Sequence, residues 1–328
     1  MSLLKALLHI SSTVALVAAA GLAQAAQLST DARTAIPRDV QQLVVIDYRV
    51  MQNSTAAMDL RERVMPPELK QFDTALRKSG LNDKNDFDQY VDQLAFALFR
   101  PRQSGQQEAS DQLETLGIAQ GQFPMQDILA NFKKKAVKAT LVHTNKLYPM
   151  GKTGMMVCFV DPSTMVFGGA DAVKAALEAR DGSAGNLLSN EPMMEAMKSV
   201  DSEPLWSILD QKGTQTMMKQ VLGQAGPLAD FETVQKHLLT SWYSMDFRHG
   251  VKFDLTLATG DSFAAATMSS LLNAAIVYRK MSGSDAEKQA LGATDISTEA
   301  GRLTIHFATS DNEFASLLQS PLFQSMVR

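Results

Sequence analysis

The sequence predicts an α+β fold of antiparallel sheets with helices packed on one face, built from repeated β-β-α units. Three stretches predict it. Residues 239–247 and 251–258 read as two strands around Arg248-His249-Gly250. In the second, Val251, Phe253, Leu255 and Leu257 alternate with Lys252, Asp254 and Thr256, the period of a half-buried strand. It runs straight into the helical stretch "ATGDSFAAATMSSLL". The pattern returns as "ATDISTE", Ala300-Gly301, "RLTIHF" and the helix "ATSDNEFASLL", where Leu303, Ile305 and Phe307 match Phe253, Leu255 and Leu257. A looser copy is "GMMVCFV", the turn Asp161-Pro162-Ser163, "TMVFG" and the helix "ADAVKAALEA". Each unit can lay its helix on one face of its hairpin.

The remaining elements follow in chain order. "QLVVIDYRV" (42–50) is rich in β-branched and aromatic residues and reads as the first strand. A helical stretch over 66–79 ends at Gly80, a suitable residue just past a helix terminus. "DQLAFALF" (92–99) is apolar on both faces, as a central covered strand is. "TLGIAQGQF" (115–123) is the next strand, and Pro124 suits the first turn of a helix to about 135. The Met-rich helix 192–198 precedes "SVDSEP", a plausible boundary before the strand "LWSIL", and 223–230 reads as an internal loop. The expected organisation is a signal peptide over 1–25, an N-terminal α+β domain over 26–200 and a C-terminal one over 201–328.

The first residues carry the address. Lys5, an apolar run over 10–22 and Ala23-Gln24-Ala25 form the n-region, h-region and cleavage pattern of a secretory signal. The expectation is cleavage after about Ala25 and a secreted or periplasmic protein. The one cysteine, Cys158, lies in "GMMVCFV" and reads as a packed strand residue, so the core must hold the fold without a disulfide. No later segment reads as a membrane span. The nearest, 263–278, is interrupted by Thr267, Ser269, Ser270 and Asn273 and reads as a buried core helix. A net charge of −4 argues against nucleic acid, which needs a basic face. The run Lys133-Lys134-Lys135 with Lys138 reads as a solvated helix end.

Several motifs suggest chemistry, and each has a plainer reading. Gly151-Lys152-Thr153 ends like a phosphate-binding loop, but Lys146 stands where the first glycine is required and a strand follows. A turn between strands is expected, with Lys152 exposed. Gly260-Asp261-Ser262 resembles the block of the GDS(L)-type serine hydrolases, which implies Ser262 as nucleophile with Asp246 and His249 in an Asp-x-x-His. The order of the two blocks is reversed relative to that family. Moreover Asn312 replaces the serine in the sister unit while Asp261 and Asp311 recur, which is what helix capping requires. His143, His237, His249 and His306 lack metal-ligand spacing. Asp83, Asp86, Asp88 and Asp92 form an acidic turn in which Phe87 breaks the calcium-loop pattern. Met193, Met194, Met197, Met217 and Met218 suit an irregular core or an adaptable apolar surface.

The segment from Ile36-Pro37 through "QLVVIDY" and "SGLNDKNDFDQYVDQLAFALF" to "LGIAQGQFPMQDIL" resembles uncharacterised exported bacterial proteins. The resemblance implies export and an α+β repeat fold, and it brings no catalytic residues. The function expected is that of an exported, soluble, non-enzymatic protein binding a partner protein or an apolar small molecule, with no cofactor and no metal. The alternatives are a serine hydrolase using Ser262 and a periplasmic lipid or apolar-ligand carrier.

Overall fold

The computed structural model describes residues 27–64, 70, 89–100, 113–150, 153–223, 235–320 and 323. The expected signal segment, all but Lys70 of the 66–79 helix, Asp83, Asp86, Asp88, Lys152 and the loop over 224–230 lie outside the described residues.

Twelve strands are described. The first seven are β1 (Val40–Asp47), β2 (Val91–Phe99), β3 (Glu114–Gly121), β4 (Thr140–Val142), β5 (Asn145–Pro149), β6 (Met155–Asp161) and β7 (Thr164–Gly169). The other five are β8 (Leu205–Leu209), β9 (Leu238–Asp246), β10 (Val251–Thr259), β11 (Thr294–Glu299) and β12 (Arg302–Thr309). They form one sheet in the order β11-β12-β10-β9-β8-β1-β2-β3-β7-β6-β5-β4, with every ladder antiparallel. The helices of the first half are α1 (Thr30–Thr34), α2 (Tyr48–Gln52), α3 (Thr55–Val64), α4 (Met125–Lys134), α5 (Ala170–Arg180) and α6 (Glu191–Lys198). Those of the second half are α7 (Gln211–Gly223), α8 (Ser262–Ser282), α9 (Asp285–Gly292) and α10 (Asp311–Leu318). The strand-strand-helix order expected from the sequence appears at β6-β7-α5, β9-β10-α8 and β11-β12-α10, and once more at β2-β3-α4.

The halves on either side of residue 200 share the sheet through the β1–β8 ladder. Val44 pairs with Ser207 at its centre, flanked by Leu43↔Ile208 and Val45↔Trp206. The arrangement is close to two-fold symmetric about that pair. The Asp47 amide donates to the Pro204 carbonyl at 2.7 Å, and the Asp210 amide donates to the Gln41 carbonyl at 2.9 Å. Asp47 and Asp210 then each begin a helix. The Asp47 carboxylate accepts from the Val50 amide at 3.0 Å and that of Asp210 from the Gly213 amide at 2.7 Å, satisfying orphan donors of the first turn. Outward from the centre, β1-β2-β3-β7-β6 mirrors β8-β9-β10-β12-β11.

Asp47 also corrects the first strand. The 42–50 segment is extended only as far as Asp47, because its cap turns the chain into α2 despite the β-favouring Tyr48 and Val50.

The helices cover the sheet unevenly. On one face α1, α5 and α6 bury Leu43, Val45, Ala95, Leu116, Ile118, Val166, Trp206 and Ile208. Met193 and Met197 of α6 are 1% exposed there, so this Met cluster fills core rather than surface. That face becomes polar across β10 and β12, where Asp254 and His306 are exposed and paired at 2.7 Å. The opposite face carries α2, α3 and α4 in the first half and α7, α8, α9 and α10 in the second. The second half thus has helices on one face, as expected, and the first half adds a layer on the other. α8 is a core helix only over part of its first half. Ala264, Ala265, Met268 and Leu272 are buried, whereas Phe263, Val277, Tyr278 and Met281 are exposed, so the expected burial over 263–278 does not extend to its ends.

Candidate functional site

β1 and its neighbours are apolar on both faces, yet only one face is sealed. Leu43 and Val45 are fully buried, while Val44 and Ile46, which point the other way, remain partly accessible in the middle of a twelve-stranded sheet. They look into a cavity of ≈390 Å³.

The ladders set its floor. Leu94, Ile46, Leu205 and Met245 stand side by side on β2, β1, β8 and β9. The adjacent row on the same face is Phe96, Val44, Ser207 and Tyr243, and the third begins Leu98, Gln42. Tyr48 and Met51 of α2, with Leu60 and Arg61 of α3, close the other side. These two helices are short, and they stand over the centre because Asp47 turns the chain back at the end of β1. Phe96 is held edge-on to Phe167 at 6.2 Å, which fixes one wall.

The floor has one polar place. Gln42 Nε2 donates to Ser207 Oγ at 3.3 Å, and the Tyr243 hydroxyl hydrogen-bonds with both. Burial pushes the Tyr243 phenol up, and its two hydrogen bonds oppose that shift only in part, so it is a neutral hydroxyl at physiological pH. On the roof the Arg61 guanidinium lies 4.7 Å above the Tyr48 ring, a cation–π contact. Among the described residues the lining contains no carboxylate. With one apolar concavity, a few convergent polar groups and no nucleophile beside a base, the arrangement can bind and orient but has no evident bond-making group.

The residues singled out by motif lie elsewhere. Ser262 opens α8 just beyond the end of β10, and Asp246 and His249 lie just before its start. At about 3.3 Å per residue along the strand, they are on the order of 30 Å from the serine. The structure does not bring the three together. Asp246 is bound instead to Arg248, whose side-chain hydrogen bond first of all holds the carboxyl below the usual range, and His249 is exposed at the hairpin tip. Asp261 accepts from the Ala264 amide at 2.7 Å and caps α8. In the sister unit the cap is Ser310, in a capping box with Glu313, one residue before the expected Asp311. Of the Gly-Lys-Thr stretch the structure describes Thr153, which with Gly154 leads into β6. Asp92 is paired with Arg49, His237 with Asp261 and His143 with Asp181. No three metal-ligating side chains gather among the described residues. Cys158 is 1% exposed in the core, and burial raises its thiol to about 11. The polar spot of Gln42, Ser207 and Tyr243 has no motif behind it. Only a Ser inside the apolar "LWSIL" hinted at it.

No helix among the described residues is long and apolar enough to cross a membrane. No protein-family profile and no curated protein matches the chain. Solved structures do. Crystal form III of TP0453 matches over 88% of this chain and 98% of its own, with 12% identity and a TM-score of 0.51. Crystal form I matches over 92% and 99%, with 13% identity and a TM-score of 0.49. At such identity the likeness to form III is one of fold: this chain shares the overall α+β architecture of TP0453 across nearly its whole length.

Proposed function

We propose that the protein is a non-enzymatic binding protein that holds an apolar ligand between the central strands and α2–α3. The observation that carries this reading is the half-sealed centre of the sheet. Val44, Ile46 and Leu98 lie in the middle of the fold, where apolar side chains are ordinarily covered, and they line a cavity within the size range of ligand sites, about 300–1,000 Å³. Keeping such a surface open forgoes roughly 25 cal/mol per Å² of burial, a cost that a bound apolar molecule removes. The leader-like amino terminus supports action outside the cytoplasm, in the periplasm or beyond.

The test is binding of the uncharged dye N-phenyl-1-naphthylamine to the purified protein, followed by its fluorescence. Wild type is expected to bind saturably, and Leu98→Trp, which fills the floor from the β2 side, to lose binding at unchanged or higher Tm. Absence of saturable binding by the folded wild type refutes the reading. So does full binding by Leu98→Trp.

A further inference from the structure

The one polar place on the cavity floor says more about what enters it. We infer that the ligand is a single-chain amphiphile whose polar group is un-ionised, a hydroxyl, ester or amide seated against Gln42 and Tyr243. This rests on the cavity being a ligand site, as proposed above.

Size comes first. At ≈390 Å³ the space is near the lower end for ligand cavities, enough for one alkyl chain and not for several. Chemistry comes second. A buried polar group must be satisfied, and Ser207, fully buried, is satisfied by Gln42 and Tyr243. Gln42 has capacity left over. Its amide offers two donor hydrogens and a carbonyl oxygen; one hydrogen goes to Ser207 and Tyr243 takes one further position, which leaves the rest open. Gln42 and Tyr243 both line the cavity, so this spare capacity faces a floor whose other lining residues are apolar.

Charge excludes the ionised classes. An ammonium head would enter a lining without a carboxylate and stay unpaired, which in an apolar site is strongly unfavourable. A carboxylate head seated at the floor finds no cation among the strand residues that line it. The lining's one cation is Arg61, which stands on the roof, is half-exposed and rests on the Tyr48 ring. A neutral head group at the floor can accept from Gln42 or Tyr243 and donate to the Gln42 carbonyl without any charge being desolvated.

The experiment displaces N-phenyl-1-naphthylamine from the full chain with dodecane, dodecan-1-ol, laurate and dodecylamine at pH 8. Dodecan-1-ol is expected to compete at least about tenfold better than the other three. In Gln42→Leu/Tyr243→Phe its advantage over dodecane should disappear while dodecane still competes. Equal competition by dodecanol and dodecane overturns the inference and leaves the cavity reading standing. Preference for laurate, lost in Arg61→Gln, overturns it in favour of an anionic head. Failure of the dye to bind at all removes the cavity reading itself.

Discussion

Gly213→Ala is expected to loosen the joint between the two halves. Gly213 lies in the first turn of α7, and a Cβ built there would stand 2.4 Å from the Gln41 carbonyl oxygen of β1. That is about 1 Å inside van der Waals contact. The obstacle is backbone, so no side chain can swing aside. The same oxygen accepts from the Asp210 amide, so relief of the clash must draw α7 away from β1 and stretch this bond. Overpacking costs about 1–3 kcal/mol and a weakened buried hydrogen bond about 1 more, while alanine in place of glycine returns up to about 1 in helix propensity. The net loss is about 1–3 kcal/mol, or several degrees in Tm at about 2–4 °C per kcal/mol. Gly292→Ala is the control. It is also a helical glycine, but nothing lies within 4 Å of its added Cβ, so it should stabilise by up to about 1 kcal/mol. Urea unfolding followed by tryptophan fluorescence reads both, since Trp206 lies in the central ladder and Trp242 beside it. A Gly213→Ala protein as stable as wild type would show that α7 has slack against β1, and the argument from close approach would fail.

Three further outcomes follow from the same structure. Burial raises the Asp210 carboxyl, against the opposing pull of the Gly213 amide and of Lys212 and Arg100. Its folded pKa therefore lies above the unfolded value, and its ionisation weakens the fold as pH rises through that folded value from about 4. Asp210→Asn can still accept from the Gly213 amide, so its stability relative to wild type should increase between about pH 4 and 7; an unchanged difference across that range would contradict the shift. Cys158, buried and raised to about 11, should resist thiol reagents at pH 8 until urea unfolds the chain, and rapid native labelling would place it at an opening in the core. Asp261→Ala should cost about 1 kcal/mol through loss of the α8 cap and Ser262→Ala almost nothing, whereas an esterase activity abolished by Ser262→Ala would replace the binding reading with a hydrolase.

Much of the architecture was legible because it is local. Alternation in 251–258 and 302–308, the doubly apolar 92–99 and the Pro124 helix start all correspond to observed elements. The Asp47 cap is not legible, because Tyr48 and Val50 favour strand and the helix start depends on a hydrogen bond that the sequence pattern does not mark. The single sheet was hidden for another reason. The β1–β8 pairing joins residues 159 to 167 positions apart, and no local pattern specifies such a contact. The cavity is less legible still, since Gln42, Ser207 and Tyr243 meet only once β1, β8 and β9 lie side by side. The Gly-Asp-Ser motif was visible and pointed away from this site.

The near-symmetry of the central ladder gives the cavity a direction. Across the axis, Val44 faces Ser207, and the next strands outward place Phe96 opposite Tyr243. Two identical halves would set like against like, and an elongated guest could then lie either way round with equal energy. Because the halves are joined in one chain and differ at these positions, this row of the floor is hydrocarbon on its N-terminal side and carries hydroxyls on its C-terminal side, with Gln42 in the neighbouring row. Gln42→Leu, Ser207→Val and Tyr243→Phe together would erase that polarity, and a guest held in one orientation would then be free to reverse.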